Sequence, residues 1–289
     1  MTERDTLPSG AAAFPGATGL TVLDVYDWVA PDGLRGGSAH VHLASTEGYL
    51  VLSGEGQLQT LSRRGYAATP LRPGDCLWFT PGTIHRLVNH GDLRLAIVMQ
   101  NAGLPEHGDA VLTFPPDVLA DSARYASAAA LPVAPGEQVA EAARRRAALA
   151  VDGYLALRDQ VADHGPAALD DFYAAALRLT AARVPDWRDR WHEGALATAG
   201  LTGSHLDEIA AAVPGHLTDA GLWRIADPAA KAGATEKDAA TKNAAAEGAA
   251  ATKDAAAKDA AASAGPDARG YGMCGRLTTY PASDATRLL

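Results

Sequence analysis

Apolar and polar positions alternate over roughly the first hundred residues, and turn residues interrupt the alternation at short intervals. A period of two puts one face of a strand in a core and the other in solvent, so the pattern predicts β-structure. Turns such as Pro31-Asp32-Gly33 separate the segments. The predicted strands cover about 20–29, 38–44, 47–53, 56–62, 75–79, 84–89 and 93–100. Many short strands joined by turns favour a sandwich or a barrel.

The apolar period becomes helical after about residue 116. It predicts helices over 137–163 and 169–184, and Ser204-x-x-Asp207 resembles a capping box that opens a third helix ending near Val213. These helices form a small bundle, either as a separate domain or as a layer on the barrel. Their large apolar residues are too many for a free-standing hairpin, so we expect them to contact the barrel or a second copy: Leu157, Phe172, Leu177, Trp187, Trp191 and Trp223.

Composition changes along the chain define five segments. Between Pro228 and Pro266 the sequence has no aromatic residue and no Leu, Ile or Val, so this stretch cannot bury a core and predicts a linker. The tail after it carries a few apolar residues, and the sequence leaves open whether it docks. We expect removal of everything beyond Pro228 to leave the fold and any bound metal unchanged. The segments are a flexible lead (1–16), a β-barrel (17–115), a helical region (116–227), an Ala/Lys/Asp-rich linker (228–266) and a tail (267–289).

Net charge and cysteine content exclude several functions. With 25 basic and 34 acidic residues the formal charge is −9, which argues against a nucleic-acid partner because phosphate binding needs a basic face. Cys76 lies in an apolar strand and is expected to be packed, and a disulfide with the distant Cys274 is not expected. The N-terminus lacks the pattern of a signal peptide and no apolar run reaches about 18 residues, so we expect a cytoplasmic protein without a membrane contact.

Three histidines and one glutamate form a candidate metal site. His40 and His42 are two residues apart on a predicted strand, so both imidazoles lie on one face. Glu47 follows closely, and His85 lies on a later strand behind a Pro-Gly turn. Three imidazoles and a carboxylate suit one divalent transition metal ion, and Fe, Mn, Ni, Cu and Zn all remain open. Four protein ligands on a six-coordinate ion leave two positions for substrate, water or dioxygen.

The spacing of these residues resembles the two motifs of the cupin family. The first motif is matched by His40, His42, Glu47 and Gly54, and the second by Gly74, Pro81, Gly82, His85 and Asn89. Leu34 and Thr80 depart from the family pattern, which has Gly and Pro there, but both positions belong to turns and not to ligands. The resemblance covers roughly the first 115 residues and implies a small single-barrel cupin of the bacterial kind, extended by a helical region and an Ala-rich tail.

The resemblance also implies a fold and a class of chemistry. The expected fold is the jelly-roll or double-stranded β-helix barrel, followed by the α-helical bundle, and cupin barrels commonly pair, which implies a homodimer. The ligand set is similar to that of quercetinase-type dioxygenases, germins and oxalate decarboxylases. We therefore expect a dioxygenase or oxidoreductase acting on a small enolic or aromatic substrate. The alternatives are a metal-dependent isomerase of a sugar or keto acid, and a cupin that only binds a small ligand.

Strand alternation extends the site beyond the ligands. Tyr49 and Val51 share the face of Glu47, while Leu87 and Asn89 share that of His85, so these four residues are expected to line a substrate pocket. Arg86, between the two faces, is expected to point outward. Glu47 is the candidate catalytic residue, because a positioned carboxylate can accept a substrate proton as well as bind metal.

Overall fold

A computed structural model describes residues 14–132, 137–226 and 269–287. Most of the predicted lead and all of the predicted linker lie outside these residues. Within the described part, nine strands form one antiparallel sheet, and two short strands form a separate pair. The strands are β1 (Gly19–Val25), β2 (His40–His42), β3 (Glu47–Ser62), β4 (Gly65–Leu71), β5 (Cys76–Phe79), β6 (Ile84–Met99), β7 (Ala110–Leu112), β8 (Trp223–Arg224), β9 (Gly270–Tyr271), β10 (Gly275–Thr279) and β11 (Thr286–Arg287).

The antiparallel pair of β3 and β6 forms the frame of the barrel. Each strand is 16 residues long, where the sequence predicted two shorter strands in each place. Register shifts near Ser53 allow the pair to bend without ending. Gly54 lies at this bend with φ +76°, and a Cβ atom there would lie 2.2 Å from the carbonyl oxygen of Asp92. Only glycine fits, which explains this position of the first motif.

Two apolar clusters lie on opposite faces of the sheet. The interior cluster includes Leu23, Leu87 and Leu95, while the outer cluster joins Val41 and Ile84 to the helical region. Neighbouring strand residues therefore contribute to different clusters, as the alternation predicted. The second cluster shows that the helical region is a layer on the barrel and not a free-standing bundle.

The helical region follows the barrel directly. The prediction for 137–163 is confirmed, since α3 ends one residue later, whereas the segment predicted over 169–184 forms α4 and the start of α5. The capping prediction at Ser204 is wrong: this residue lies inside α6, where its hydroxyl contacts the Gly200 carbonyl oxygen at 3.4 Å. The helices are α1 (Pro116–Leu119), α2 (Ser122–Ala129), α3 (Glu137–His164), α4 (Asp170–Thr180), α5 (Val184–Trp191) and α6 (Ala197–Ala210), with a π-helical turn over His192–Leu196.

The tail docks on the barrel. The sequence had left open whether it does. β10 pairs with β1 over five residue pairs, from Thr21↔Thr279 to Val25↔Gly275. Three backbone hydrogen bonds involve the segment just before it, including one from the Ser38 amide to the Met273 carbonyl at 3.0 Å. The tail is thus a strand of the barrel sheet, which removes the reason for expecting that the chain beyond Pro228 can be deleted without effect.

Three smaller expectations about side chains are corrected by the structure. Arg86 points away from the interior as predicted, but it is fully buried, because its guanidinium pairs with Asp32 at 2.6 and 3.2 Å. Cys76 is exposed, since β5 is a short strand, and both cysteines are free thiols. Trp187 is buried as expected for a core residue, whereas Trp191 is 38% exposed. None of the helices in the described residues is long and apolar enough to span a membrane.

Candidate metal centre

Three strands bring the four predicted ligands together inside the barrel. β2 carries His40 and His42, β3 begins at Glu47, and β6 presents His85 directly opposite His40 in the antiparallel pairing. Val41 points to the outer cluster, so the two histidines of β2 both face the interior. All four side chains are buried.

The ligand atoms converge on a small volume. The Nε2 atoms of His42 and His85 lie 3.3 and 3.1 Å from Oε2 of Glu47. Each of the four residues offers one ligand atom, and these atoms all lie within 4.8 Å of one another. Metal–ligand bonds to imidazole nitrogen and carboxylate oxygen are about 2.0–2.2 Å long, so opposite ligands of one ion are separated by roughly twice that length. The arrangement has the size of a single-ion site.

Acceptor groups near the outer ring nitrogens fix the orientation of the imidazoles. Nδ1 of His40 contacts the Ser38 carbonyl oxygen at 3.3 Å, and Nδ1 of His85 contacts the Thr83 carbonyl oxygen at 3.1 Å. Nδ1 of His42 lies 3.5 Å from a carboxylate oxygen of Asp109. When Nδ1 carries the proton toward such an acceptor, the Nε2 lone pair is free for a metal ion.

Mutual electrostatics shift the pKa values of the cluster in different directions. Burial raises the pKa of Glu47, but the imidazoles of His85 and His42 outweigh it and hold this pKa well below its usual range. Burial lowers the pKa of His42, yet hydrogen bonding and charge from Asp109 and Glu47 raise it to about 9. Burial and the neighbouring imidazoles lower the pKa of His40 well below its usual range. Without a metal ion the site therefore holds an ionised Glu47 and a neutral His40, both of which are ligand forms, beside a protonated His42, which would release its Nε2 proton when an ion binds.

The residues fit a bound cation. Oε2 of Glu47 and Nε2 of His85 are buried without a hydrogen-bond partner of acceptable geometry among the described residues. Unsatisfied buried polar atoms are rare and need a physical explanation, and an ion at their point of convergence would supply one. Three nitrogens and one oxygen suit a divalent transition metal, and the donor set does not select one metal from Fe, Mn, Ni, Cu and Zn.

The predicted pocket residues lie on the faces that alternation assigned to them. Tyr49, Val51 and Leu87 belong to the interior cluster, and the hydroxyl of Tyr49 is buried near Glu47. Burial and the Glu47 charge raise the pKa of Tyr49 well above its usual range, so this hydroxyl stays protonated. Asn89 uses its amide for structure, donating to the Val25 carbonyl at 2.9 Å and accepting from the Leu93 amide at 3.2 Å. That these residues contact a substrate stays a prediction.

Sequence reasoning missed three residues at the edge of the site. Phe79 contacts the His85 ring with centroids 4.3 Å apart, and Asp109 faces His42. The Cys274 sulfur lies 3.8 Å from Nδ1 of His40, and burial raises the pKa of this thiol far above its usual range. Asp109 and Cys274 are distant from the motifs along the chain, and neither has a local signal. Phe79, directly before the Thr80-Pro81-Gly82 turn, could have been found from its apolar strand.

Comparison with protein families identifies the barrel. Residues 28–100 match the cupin domain family. The barrel is a cupin domain. The match includes all four candidate ligands and stops before the helical region. The cupin assignment therefore applies to the barrel. It does not cover the helices or the strand that the tail adds. No curated protein matches the chain.

Several solved structures are similar to parts of the chain. An uncharacterised Klebsiella pneumoniae protein with a double-stranded β-helix domain is 21% identical over 29% of this chain and 66% of its own, with a TM-score of 0.24. The capsular polysaccharide assembling protein CapF of Staphylococcus aureus is 18% identical over 28% of this chain and 22% of its own, with a TM-score of 0.23.

A third similar structure is Pac13, described as a nucleoside dehydratase, from Streptomyces. It is 19% identical over 29% of this chain and 58% of its own, with a TM-score of 0.23. The chain thus spans less than two thirds of the length of each of these three proteins. At these values the similarities give no information about substrate or reaction.

Proposed function

We propose that the chain is a metal-dependent cupin enzyme, a dioxygenase that acts on a small enolic or aromatic substrate. One divalent transition ion would be held by His40, His42, Glu47 and His85. The observation that carries the proposal is the convergence of four buried ligand atoms within 4.8 Å, with each imidazole oriented by an acceptor near its outer nitrogen. The preference for dioxygenase chemistry rests on the resemblance of this ligand set to that of quercetinase-type cupins.

This chemistry would depend on the bound ion, on the imidazoles that hold it and on the apolar side chains near it. A bound divalent ion would polarise an enolate or carbonyl oxygen of the substrate. The three imidazoles hold the site rigidly, because both strand pairing and acceptors near Nδ1 restrict them. Phe79 packs on the His85 ring with centroids 4.3 Å apart, and it belongs with Val51 and Leu87 to the apolar interior cluster, whose exclusion of water would strengthen electrostatic interactions at the centre.

Proton transfer is assigned to Glu47. Its carboxylate is ionised and lies where the ligand atoms converge, so it would accept a proton from a substrate hydroxyl when it is not bound to the ion. The Tyr49 hydroxyl, protonated and buried near Glu47, is placed to donate a hydrogen bond to the substrate or to the carboxylate. Transfer of the hydroxyl proton to the Glu47 carboxylate would convert the enol of the substrate to its enolate, the electron-rich form that reacts with dioxygen.

The first test measures metal content and oxygen consumption. Recombinant chain should hold close to one transition ion, and His40→Ala and His85→Ala should each empty the site by elemental analysis. The metal-loaded wild type is then supplied with flavonols, enols and keto acids in an oxygen electrode. Uptake of oxygen with one substrate class supports the dioxygenase, whereas conversion of a sugar or keto acid without oxygen uptake would favour the isomerase. Full metal occupancy in both variants would refute the site.

The second test separates an enzyme from a ligand-binding protein through Glu47. Glu47→Gln should keep most of the metal, because three imidazoles remain, but lose turnover by about two or more orders of magnitude, the usual size of a general-base contribution. Glu55→Gln is the matched control, since Glu55 lies on the same strand and is exposed. A wild type that binds a small molecule, leaves it unchanged in air and behaves like Glu47→Gln would refute the enzymatic function.

A further inference from the structure

Asp109 is a fully buried carboxylate immediately before β7, and its side chain faces the loop that joins two of the ligands. Its Oδ1 accepts hydrogen bonds from the amides of Leu43 and Ala44 at 2.9 and 2.7 Å. Its Oδ2 accepts one from the Ser45 amide at 3.1 Å. Three consecutive amides thus point at one carboxylate, and the loop they belong to connects His42 to Glu47.

The same carboxylate also faces a ligand directly. Oδ2 of Asp109 lies 3.5 Å from Nδ1 of His42, while Nε2 of that ring lies 3.3 Å from Glu47. His42 therefore lies between two carboxylates, one on the metal side and one behind it. The outer nitrogens of His40 and His85 instead contact the neutral carbonyls of Ser38 and Thr83. The three imidazoles therefore have different environments: Nδ1 of His42 faces a carboxylate, whereas Nδ1 of His40 and of His85 faces a neutral carbonyl group.

We propose that Asp109 is a positioning residue of the metal centre, acting through His42 and through the loop that leads to Glu47. This inference rests on the proposed metal site. The Asp109 carboxylate keeps the His42 proton on Nδ1, so that Nε2 faces the ion as a lone pair, and its negative charge makes the imidazole a stronger donor. Such carboxylate–histidine–metal arrangements typically contribute about 10- to 100-fold to metal affinity.

The contacts of Asp109 are consistent with this role. Its two oxygens accept hydrogen bonds from three loop amides, and Oδ2, which accepts the one from Ser45, also lies 3.5 Å from Nδ1 of His42. One buried carboxylate therefore contacts both the loop and the ligand.

The test uses Co²⁺ alone as the probe and the full-length chain. Asp109→Asn keeps the shape of the side chain and an acceptor for the loop amides but removes the charge. We expect its dissociation constant for Co²⁺ to rise about 10- to 100-fold, with a changed visible absorption spectrum. Asp121→Asn is the matched control, because Asp121 accepts two backbone amides at the start of α2, at 2.8 and 3.1 Å, far from any ligand. It should leave both readouts unchanged.

A double-mutant cycle separates positioning from a general structural effect. If Asp109 acts through His42, adding Asp109→Asn to His42→Ala should weaken Co²⁺ binding much less than it does in the wild type. An equal loss in both backgrounds would mean that Asp109 does not act through His42. If Asp109→Asn fails to fold, Asp109→Glu serves instead; it retains the charge, displaces it by one methylene, and should alter the Co²⁺ spectrum.

The outcomes distinguish this inference from the proposed function. A wild type that does not bind Co²⁺ refutes the metal site itself. A wild type that binds Co²⁺ while Asp109→Asn binds it with the same affinity and spectrum refutes the positioning role of Asp109 and leaves the four ligands in place.

Discussion

Helices α3 and α6 both carry apolar residues along their length but have opposite environments. α3 lies on the barrel and buries one stripe of its surface, which includes Ala150, Tyr154 and Leu157. None of the 14 residues of α6 is buried against the described residues, and Leu206 and Ile209 are each 61% exposed. An apolar period thus predicts that a helix forms, but it does not predict whether the helix has a partner in the same chain.

Close approach to the barrel accounts for much of the difference. Gly153 of α3 faces the segment after β7 so closely that a Cβ atom would lie 2.0 Å from the Thr113 carbonyl oxygen. The Thr113 hydroxyl also donates to the Ala150 carbonyl at 2.7 Å. Gly200 of α6 has no heavy atom within 4 Å of such a Cβ position. One substitution and two matched pairs of substitutions can test this comparison.

We expect the largest loss of stability from breaking the buried ion pair of Asp32 and Arg86, which lies between the barrel and α3. Asp32→Ala leaves the fully buried Arg86 guanidinium without its carboxylate, and removing one partner of a buried pair costs about 3–5 kcal/mol. Chemical denaturation at pH 7 would measure the loss in the free energy of unfolding. A loss below about 1 kcal/mol would mean that water reaches Arg86 and that α3 seals the barrel less tightly than described.

The same pair predicts how stability depends on pH. Burial raises the pKa of Asp32, but the hydrogen bond and charge of Arg86 outweigh it and lower this pKa below its ordinary value of 3.8. A carboxyl with a lowered pKa in the folded state stabilises the fold above its unfolded pKa, and the contribution disappears as the pH falls through the folded pKa. The difference between wild type and Asp32→Ala should therefore be constant near neutrality and shrink below about pH 4.

The second-largest effect on stability is expected within a matched pair of leucine substitutions. Leu157→Ala in α3 should lower the free energy of unfolding by about 2–5 kcal/mol, because it opens a cavity in the outer cluster. Leu206→Ala in α6 should change it by less than about 0.5 kcal/mol, since Leu206 is already exposed to solvent. A loss in Leu206→Ala that becomes comparable to that in Leu157→Ala as the protein concentration rises would show that α6 has a partner in solution, such as a second copy of the chain.

Substitutions of two glycines should have smaller effects than Leu157→Ala, and the two effects should differ in sign. Glycine inside a helix is less favourable than alanine by about 1 kcal/mol, so Gly200→Ala should stabilise the chain by up to that amount. Gly153→Ala should instead destabilise it by about 1–3 kcal/mol, because the new methyl group meets backbone atoms that cannot move freely. Thermal unfolding of both variants provides the measurement. A stabilising Gly153→Ala would contradict the close contact between α3 and the barrel.

Local rules explain which parts of the site could be predicted from sequence. The ligand positions depend on strand alternation and on turns a few residues away, and the cupin fold of the barrel is confirmed by the family match. Asp109 could not be found, because its importance arises from three amides on a loop more than 60 residues earlier in the chain. The docked tail was equally invisible, since its strand is short and lies after a long stretch without aromatic residues, Leu, Ile or Val.

Errors in the element predictions have similar physical causes. Strand β4 was not predicted, because its residues Ala67, Ala68 and Pro70 have low β propensity, but an edge strand tolerates proline. Ser204 matched a capping pattern by spacing alone, while the helix had already begun at Ala197. Pairing with β3 determined the first structure, whereas in the second the helix began seven residues before the pattern that was taken for its start.

The pairing of β10 with β1 has a consequence for how the protein folds. The Tyr26 hydroxyl donates to the Gly272 carbonyl across 246 residues of chain, and the two strands meet only after a loop of that length has closed. During synthesis the N-terminal barrel strands leave the ribosome long before the residues that complete their sheet, so β1 keeps an unpaired edge for that time. Contacts of such high sequence separation slow folding, and the exposed edge is the part of the nascent chain most open to pairing with another molecule.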